Sequence, residues 1–544
     1  MAWSELFRWR VMGAVLTTLL SAGAALAQTN EIAAAPADFE KKCAALAQSV
    51  LPDTQITRAE WVAPGKLQLS AATPLPNAEG LPAFCRVGAT LKPEPDSHIE
   101  IEVWLPGESW NGRFQAVGNG GLAGSITYAA MTGALAGGYA TASTDTGHKG
   151  SPTSGEWALG HPAKVADFGY RAVHEMTLKA KALVTAFYTQ PAKYSYWNGC
   201  SEGGNQALGE AQRYPNDYDG ILAGAPANYM THLQAGGNWI SQAIHKERTS
   251  FIAESKLPLI NDAVLAACDA ADGVRDGVLE DPRTCQFDIA ELQCKGGDNE
   301  DCLTAAQVRG LRQIYEGVKP QLMAVQAKKK KRLRRQPAQP PRMGKQVFPG
   351  HTLGSELEWR GWIAGTDSPP QNLQHQIQND FFKYLVFENP NWDWKTFKFD
   401  RDVDYADQKI GPIVNQTDPD LRTFKARGGK LLHYHGWYDP AISPLNSVNY
   451  FQSVRAKMGD TASFYRLFMV PGMAHCRGGP GATEFDPMAP IVEWVEQGKA
   501  PDSILGSKLK EGQVVRTRPI CAFPKTAKYR GSGSTDDAAN FQCS

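Results

Sequence analysis

An acyl bond can be hydrolysed by three side chains in the right relation: a hydroxyl, an imidazole to take its proton, and a carboxylate to orient that imidazole. Gly199-Cys200-Ser201-Glu202-Gly203 has the form G-x-S-x-G. In that form a serine is presented on a sharp turn between a strand and a helix. The pentapeptide also arises by chance, so its surroundings must carry it. On such an architecture the chain order is serine, acid, histidine. Asp439, in His435-Gly436-Trp437-Tyr438-Asp439, and His475, in Pro471-Gly472-Met473-Ala474-His475-Cys476, follow in that order. Other readings stand beside this one. Asp439 precedes Pro440 and could be a turn former, and His433 and His435 could be structural. Asp145 and His148 are a second acid and imidazole, but they precede Ser201.

The cysteines add weight. Cys200 directly precedes Ser201 and Cys476 directly follows His475. If the hydroxyl and imidazole meet, these neighbours come within reach of a disulfide, which needs Cα atoms about 4.4–6.8 Å apart. Such a bridge would staple the nucleophile to its base. An oxyanion developing on the substrate needs amide donors. Glu202 supplies one as the residue after the nucleophile, and the Gly118-Asn119-Gly120-Gly121 run after an early strand is placed to supply another. That run could equally be a tight turn. A second cluster, from Cys268 to Val278, places Asp269, Asp272 and Asp276 among Gly273 and Gly277. Hard oxygen donors of this kind suit calcium, without the spacing of an EF-hand; an acidic surface turn is the competing reading.

These residues need a frame. His98–Leu105 alternates like a half-buried strand, and Phe114–Val117, Tyr139–Thr144, Tyr194–Asn198 and Ile221–Ala225 are further strand candidates. Residues 167–187 and 205–213 have helical spacing. The alternation predicts a parallel sheet with crossover helices. It breaks off near residue 228, in a stretch rich in Trp, Pro and Asn, and resumes at Gly429–Tyr434, Tyr465–Val470 and a helix over 490–497. The expected organisation is therefore a core over 28–227 and 428–544, interrupted by an inserted lid over 228–427. Trp359, Trp362, Phe381, Phe382, Tyr384, Trp392 and Trp394 are candidates for an aromatic wall in that insertion, though most are expected to be its core.

Composition bounds the rest. The 544 residues are 42% hydrophobic and 21% charged, which excludes a disordered or fibrous chain. The 56 basic and 56 acidic residues balance, yet nine of the basic ones fall in residues 328–345, which hold no acidic residue. The remainder is acidic, so nucleic acid is not an expected partner. The basic tract runs into Pro and Gln and reads as a solvated loop, or as a dock for an anionic surface or polyphenolic polymer. At the start, Arg8 and Arg10 precede an apolar run over Val11–Leu20 and a small-residue site at Ala25-Leu26-Ala27. This predicts a cleaved signal peptide over 1–27 and a secreted or periplasmic protein. An uncleaved anchor is the alternative, though the run is short for a membrane span. All ten cysteines lie after that site. Their even number in an exported chain predicts disulfides, and the absence of C-x-x-C pairs speaks against zinc.

Together, Gly-Cys-Ser-Glu-Gly-Gly, the Asp439 loop and Pro-Gly-Met-Ala-His-Cys resemble the tannase/feruloyl esterase family. The resemblance runs from about residue 40 to the C-terminus through Trp110-Asn111-Gly112-Arg113-Phe114 and Tyr529-Arg530-Gly531-Ser532-Gly533. It implies an α/β-hydrolase core with a large inserted lid domain, and Ser201, Asp439 and His475 as catalytic residues. It points to Gly121 as the second oxyanion donor. It implies the bridges Cys200–Cys476, Cys43–Cys85, Cys268–Cys285, Cys294–Cys302 and Cys521–Cys543. It adds the carbonyls of Val274 and Val278 to the three aspartates as ligands of a structural Ca2+, with no organic cofactor. The implied activity is hydrolysis of aromatic, phenolic carboxylic esters. Terephthalate monoesters, the acyl class of one branch, are the alternative substrate. A peptidase on the same core and a non-catalytic binding module are rival readings that the intact triad disfavours. The oligomeric state is left open, and no membrane span is expected after the leader.

Overall fold

Nine strands form one sheet: β1 (Thr54–Val62), β2 (Phe84–Leu91), β3 (Ile99–Pro106), β4 (Arg113–Val117), β5 (Ala140–Thr144), β6 (Tyr194–Cys200), β7 (Gly220–Gly224), β8 (Lys430–Gly436) and β9 (Tyr465–Val470). Their spatial order is β1-β2-β3-β5-β4-β6-β7-β8-β9. The structure, a computed structural model, describes residues 36–69, 75, 78–245, 247–319, 346–364 and 371–544. The expected signal peptide and the basic tract lie outside the described residues.

The sheet is mixed, which corrects the expectation of a parallel one. From β5 through β4, β6, β7 and β8 to β9 every pairing is parallel, but β1, β2, β3 and β5 pair antiparallel. β1 is largely polar and alternates between half-buried and exposed positions. It can border solvent as an antiparallel edge strand does, and it does not read as a core strand in the sequence.

The parallel strands are covered on both faces. Consecutive residues of a strand point to opposite sides, and both Tyr196 and Trp197 are fully buried. Trp197 packs in a cluster with Phe114, Ile221, Leu431 and Leu467 and with Val173, Met176 and Leu183 of the helix Ala172–Tyr188. Tyr196 packs with Leu222, Leu432 and Phe468 and with Ile491 and Trp494 of the helix Met488–Gln497. Short apolar strands with no polar face are what this double covering requires.

Register places the carboxyl ends of the strands side by side. Cys200 pairs with Gly224, Gly224 with Tyr434, and Gly436 with Val470. The loops that follow β6, β8 and β9 thus open at one edge, where ligands bind in sheets of this kind. Between Gly224 and Lys430 the described residues add no strand to this sheet. It makes helices and short turns with an apolar cluster of their own, including Ile240, Ile260, Leu311 and Trp359. A second cluster, in which Phe381, Phe382 and Leu385 join Leu122 and Phe168, seats this region on the core.

The helix Glu202–Arg213 begins in extreme proximity to the sheet. A Cβ on Gly204 would lie 2.2 Å from the Gly224 carbonyl oxygen. Gly204→Ala is expected to cost about 3 kcal/mol by overpacking, read as a lower midpoint in urea unfolding. An unshifted midpoint would show that the helix can move away at no cost.

Candidate active site

Ser201 lies between β6 and the helix Glu202–Arg213 at φ 65°, ψ −118°. A side chain adopts that region at a cost of about 1–3 kcal/mol, and only where its surroundings demand it. The surroundings are glycines. A Cβ on Gly199 would come within 2.4 Å of the Gly203 carbonyl oxygen, and one on Gly118 within 2.5 Å of the Gly203 Cα. The Ser201 amide donates to the Gly224 carbonyl at 3.0 Å, and the Gly203 amide to Asn119 at 2.8 Å. The hydroxyl is thus lifted off the sheet on a turn locked to both neighbouring strands.

Asp439 and His475 follow β8 and β9. His475 Nδ1 donates to Asp439 Oδ2 at 2.7 Å; a carboxylate oxygen only accepts, so the proton is on Nδ1 and Nε2 is left with its lone pair. The other Asp439 oxygen, Oδ1, accepts the amides of Ala441 and Ile442 at 2.8 and 2.9 Å. Burial alone would raise the Asp439 carboxyl. The electrostatic attraction of His475 and the hydrogen bonds from His435 and His475 overcome that and hold it well below the usual carboxylate range. Asp439 therefore stays ionised and orients the ring rather than taking its proton.

Cys200 and Cys476 are bridged, with their Cα atoms 6.0 Å apart. This ties the residue before Ser201 to the residue after His475. The other bridges join Cys43–Cys85, Cys268–Cys285, Cys294–Cys302 and Cys521–Cys543, the pairings the resemblance implied.

In the loop after β4, Gly121 is at φ 57°, and a Cβ there would lie 2.2 Å from the Pro152 carbonyl oxygen. Among the described residues no hydrogen bond takes the amide of Gly121 or of Glu202. The Glu202 side chain is buried; its carboxyl is pushed well up by that burial, against one hydrogen bond from Asn205. The imidazole of the second acid–histidine set braces this glycine loop, while its acid ties the turn before His148 to β3. His148 Nε2 lies 2.9 Å from the Leu122 carbonyl, and its ring stacks on Trp157. Asp145 accepts the amides of Glu100 and Gly147.

Of the aromatic candidates, Trp359, Phe381, Phe382 and Trp394 are buried in the inserted region. Trp362 is half-buried and meets the His475 ring edge to face at 5.3 Å. Two further residues also touch the acid: one, His435, that the sequence allowed to be structural, and one, His351, that it did not single out. His435 Nε2 is 3.1 Å from Asp439 Oδ2, and His351 Nδ1 3.2 Å from its carbonyl. His351 comes from the insertion, with no local motif to mark it.

The acidic turn follows the helix Leu257–Cys268, and Gly273 and Gly277, at φ 93° and 78°, fold it back. Asp272 accepts the Val274 amide, and Asp269 the Gly277 amide. Asp276 Oδ2 accepts from Arg518 at 2.6 Å and Arg516 at 3.1 Å. Asp272, Val274, Asp276 and Val278 line one small cavity with Glu280. Burial, and then the neighbouring Asp276 and Asp269 charges, raise the Asp272 carboxyl. An all-oxygen donor set with mutual repulsion fits a hard cation, although two guanidiniums already neutralise Asp276. Among the described residues, the trio whose ligand atoms gather within 4.8 Å is instead His174, Glu210 and Asp217. There Lys181 donates to the Asp217 carbonyl, while burial and then the Asp217 charge raise the Glu210 carboxyl. That is the chemistry of an acid beside a carboxylate with an ammonium close by.

The family profile described as tannase and feruloyl esterase matches residues 85–544. The chain belongs to the tannase and feruloyl esterase family. It is a carboxylic ester hydrolase with the α/β-hydrolase fold. An uncharacterized esterase of Xanthomonas campestris pv. campestris is 36% identical over 97% of this chain and 94% of its own. The mono(2-hydroxyethyl) terephthalate hydrolase of Piscinibacter sakaiensis is 34% identical over 87% of each chain. The crystal structure of feruloyl esterase B from Aspergillus oryzae superposes with a TM-score of 0.82 at 32% identity, covering 93% of this chain and 100% of that one.

The buried imidazole beside the acid gives a pH test. Burial lowers His351 from 6.5 to about 4, against the pull of Asp439. The unfolded ring takes a proton below about 6.5 while the folded one does not until about 4, so its contribution to stability is lost as pH falls through that window. His351→Gln removes that dependence. The stability gap between the wild type and this variant is expected to narrow by about 3 kcal/mol from pH 7 to pH 4, measured by urea unfolding. A gap that widens on acidification would reverse the assignment.

Proposed function

We propose that this chain is an exported serine esterase of aromatic carboxylic esters. Ser201 Oγ attacks the ester carbonyl while His475 Nε2 takes its proton and Asp439 holds the imidazole by Nδ1–H. The amides of Glu202 and Gly121, both without a hydrogen-bond partner among the described residues, receive the oxyanion. The alcohol leaves with the proton from His475, and water, activated by the same nitrogen, releases the acid from Ser201. The observation that carries this reading is the 2.7 Å Asp439–His475 pair, bound to the Ser201 turn through the Cys200–Cys476 bridge. The Trp362 ring against His475 supports an aromatic acyl group, since it sets an apolar, flat surface beside the reacting carbonyl. Feruloyl esters are the first reading, on the likeness to feruloyl esterase B; terephthalate monoesters are the second, on the 34% identical hydrolase.

Export rests on the five bridges, since disulfides persist in oxidising compartments, and on the leader read from the sequence. No helix among the described residues is long and apolar enough to cross a membrane.

The side chains of Asp269, Asp272 and Asp276 and the carbonyls of Val274 and Val278 would hold a calcium ion. Its charge would relieve the repulsion among the carboxylates and brace the turn against the C-terminal hairpin carrying Arg516 and Arg518.

Two measurements test these assignments. Ser201→Ala should lower kcat by at least about 10^4-fold on methyl ferulate, methyl gallate, chlorogenate and mono(2-hydroxyethyl) terephthalate alike; the wild-type kcat/KM ranking over the panel assigns the acyl group. Full hydrolysis by the variant would end the triad reading. Chelation by EGTA should lower the melting temperature by several degrees, with calcium but not magnesium restoring it. An unmoved melting temperature would count against the ion.

A further inference from the structure

A line of buried polar groups runs away from the acid of the triad and takes no part in the mechanism above. His435 Nε2 lies 3.1 Å from Asp439 Oδ2, the oxygen that also accepts from His475. His435 Nδ1 is 2.6 Å from Ser447 Oγ. Ser447 Oγ is 2.7 Å from His433 Nε2, and His433 Nδ1 is 2.8 Å from the Tyr465 hydroxyl. His433, His435, Ser447 and Tyr465 are all wholly buried. They come from β8, the helix Pro444–Met458 and β9.

The proton positions can be worked out. His435 Nε2 faces the Asp439 carboxylate and, at 3.1 Å, the Ile442 carbonyl. Both are acceptors only, so Nε2 carries a proton. If Ser447 donated to His433, His435 Nδ1 would have to be protonated as well, leaving an imidazolium in a fully buried pair of rings. The Tyr465 hydroxyl would then need a further acceptor. One arrangement keeps both rings neutral and gives every proton an acceptor. Tyr465 O–H donates to His433 Nδ1, His433 Nε2–H to Ser447 Oγ, Ser447 O–H to His435 Nδ1, and His435 Nε2–H to Asp439. Burial, and then the neighbouring His435, hold the His433 ring well below its ordinary protonation range, in accord with a neutral ring there.

Building on the triad reading, we propose that His435, Ser447, His433 and Tyr465 form a one-directional hydrogen-bond line whose positive end rests on Asp439, making them positioning residues that set the basicity of the catalytic pair. Hydrogen bonds aligned head to tail polarise one another. The line stabilises the Asp439 charge independently of His475. With Oδ1 taken by the amides of Ala441 and Ile442, it also limits the direction from which the His475 Nδ1–H can reach Oδ2. It opposes protonation of His475, because its dipoles point their positive ends toward the same oxygen. The other titratable groups packed around the line are His351 on the Asp439 carbonyl, Tyr438 beside Asp439 in the chain, and Tyr450, whose ring lies 6.3 Å from that of Tyr465. Burial pushes both Tyr438 and Tyr450 above their ordinary range, and His351 is neutral above about 4. None of the three changes charge between pH 5 and 9.

The test uses the full-length enzyme. Long-range 1H–15N spectra at pH 7 should show His433 and His435 neutral, each protonated on Nε2. A proton on Nδ1 of either ring, or a doubly protonated His435, overturns the assigned direction. Ser447→Ala cuts the line, and Tyr465→Phe removes its first donor while keeping the ring. Both should move the acid limb of kcat/KM to higher pH, by about half a unit for Ser447→Ala and by less for Tyr465→Phe. kcat should fall several-fold with KM unchanged. An acid limb that stays in place in both variants, or moves to lower pH, overturns the coupling and leaves the line a packing feature. If Ser447→Ala does not fold, Tyr465→Phe and the spectra decide. Activity surviving in Ser201→Ala would fail the triad itself, a result separable from the proton positions.

Discussion

The backbone turn at Ser201 is the constraint on which the site rests. At φ 65°, ψ −118° it is a conformation the chain would leave if it could. Gly199, Gly203 and Gly204 have no side chains, and because of that the helix after the turn can approach β7 and the Gly118 loop so closely that no relaxation is open to it. The hydrophobic core on both faces of the sheet supplies the stability that this strain consumes. Had any of these positions carried a Cβ, the helix would stand off, the turn would relax, and the hydroxyl would sink toward the sheet.

The same economy governs the acid and base. Parallel register brings the ends of β6, β8 and β9 together, but loops at a sheet edge are the least stable part of a fold. Each functional loop here is tied down by something other than its own sequence. Cys200–Cys476 joins the serine turn to the histidine loop. The amides of Ala441 and Ile442 and the His435 ring hold Asp439 from behind. His148 and Pro152 hold the glycine loop. Catalysis by preorganised groups requires such restraint, because a ring free to rotate would spend its hydrogen bond on water.

What could be read in the sequence follows from how local each signal is. Ser201, His475 and their flanking cysteines lie in short motifs, so the serine turn, the histidine loop and their bridge were legible, and the parallel strands announced themselves by short apolar runs. β1 was not legible because an edge strand with one wet face carries polar residues. The antiparallel side of the sheet was missed with it and β2, and nothing local shows that β3, which was read as a strand, runs against β5. The line behind Asp439 was not legible either. Ser447 is twelve residues from His435 on a helix and Tyr465 is on another strand, so only the fold shows that they touch. In the acidic turn the carboxylates were legible but their neighbours were not, since Arg516 and Arg518 arrive from 240 and 242 residues away.

The inserted region shows why function needs more than the triad. Its apolar cluster around Ile240 and Trp359 fixes its internal packing, and that packing places the residues it offers to the site. Trp362 reaches His475 because Trp359, one turn earlier, is buried: its Nε1 donates to Ser355, and its carbonyl accepts the Trp362 amide at 3.1 Å. His351 reaches Asp439 from the same region. An element that contacts base and acid at once cannot move without changing both. Through Trp362 and His351 the insertion is thus packed against both His475 and Asp439.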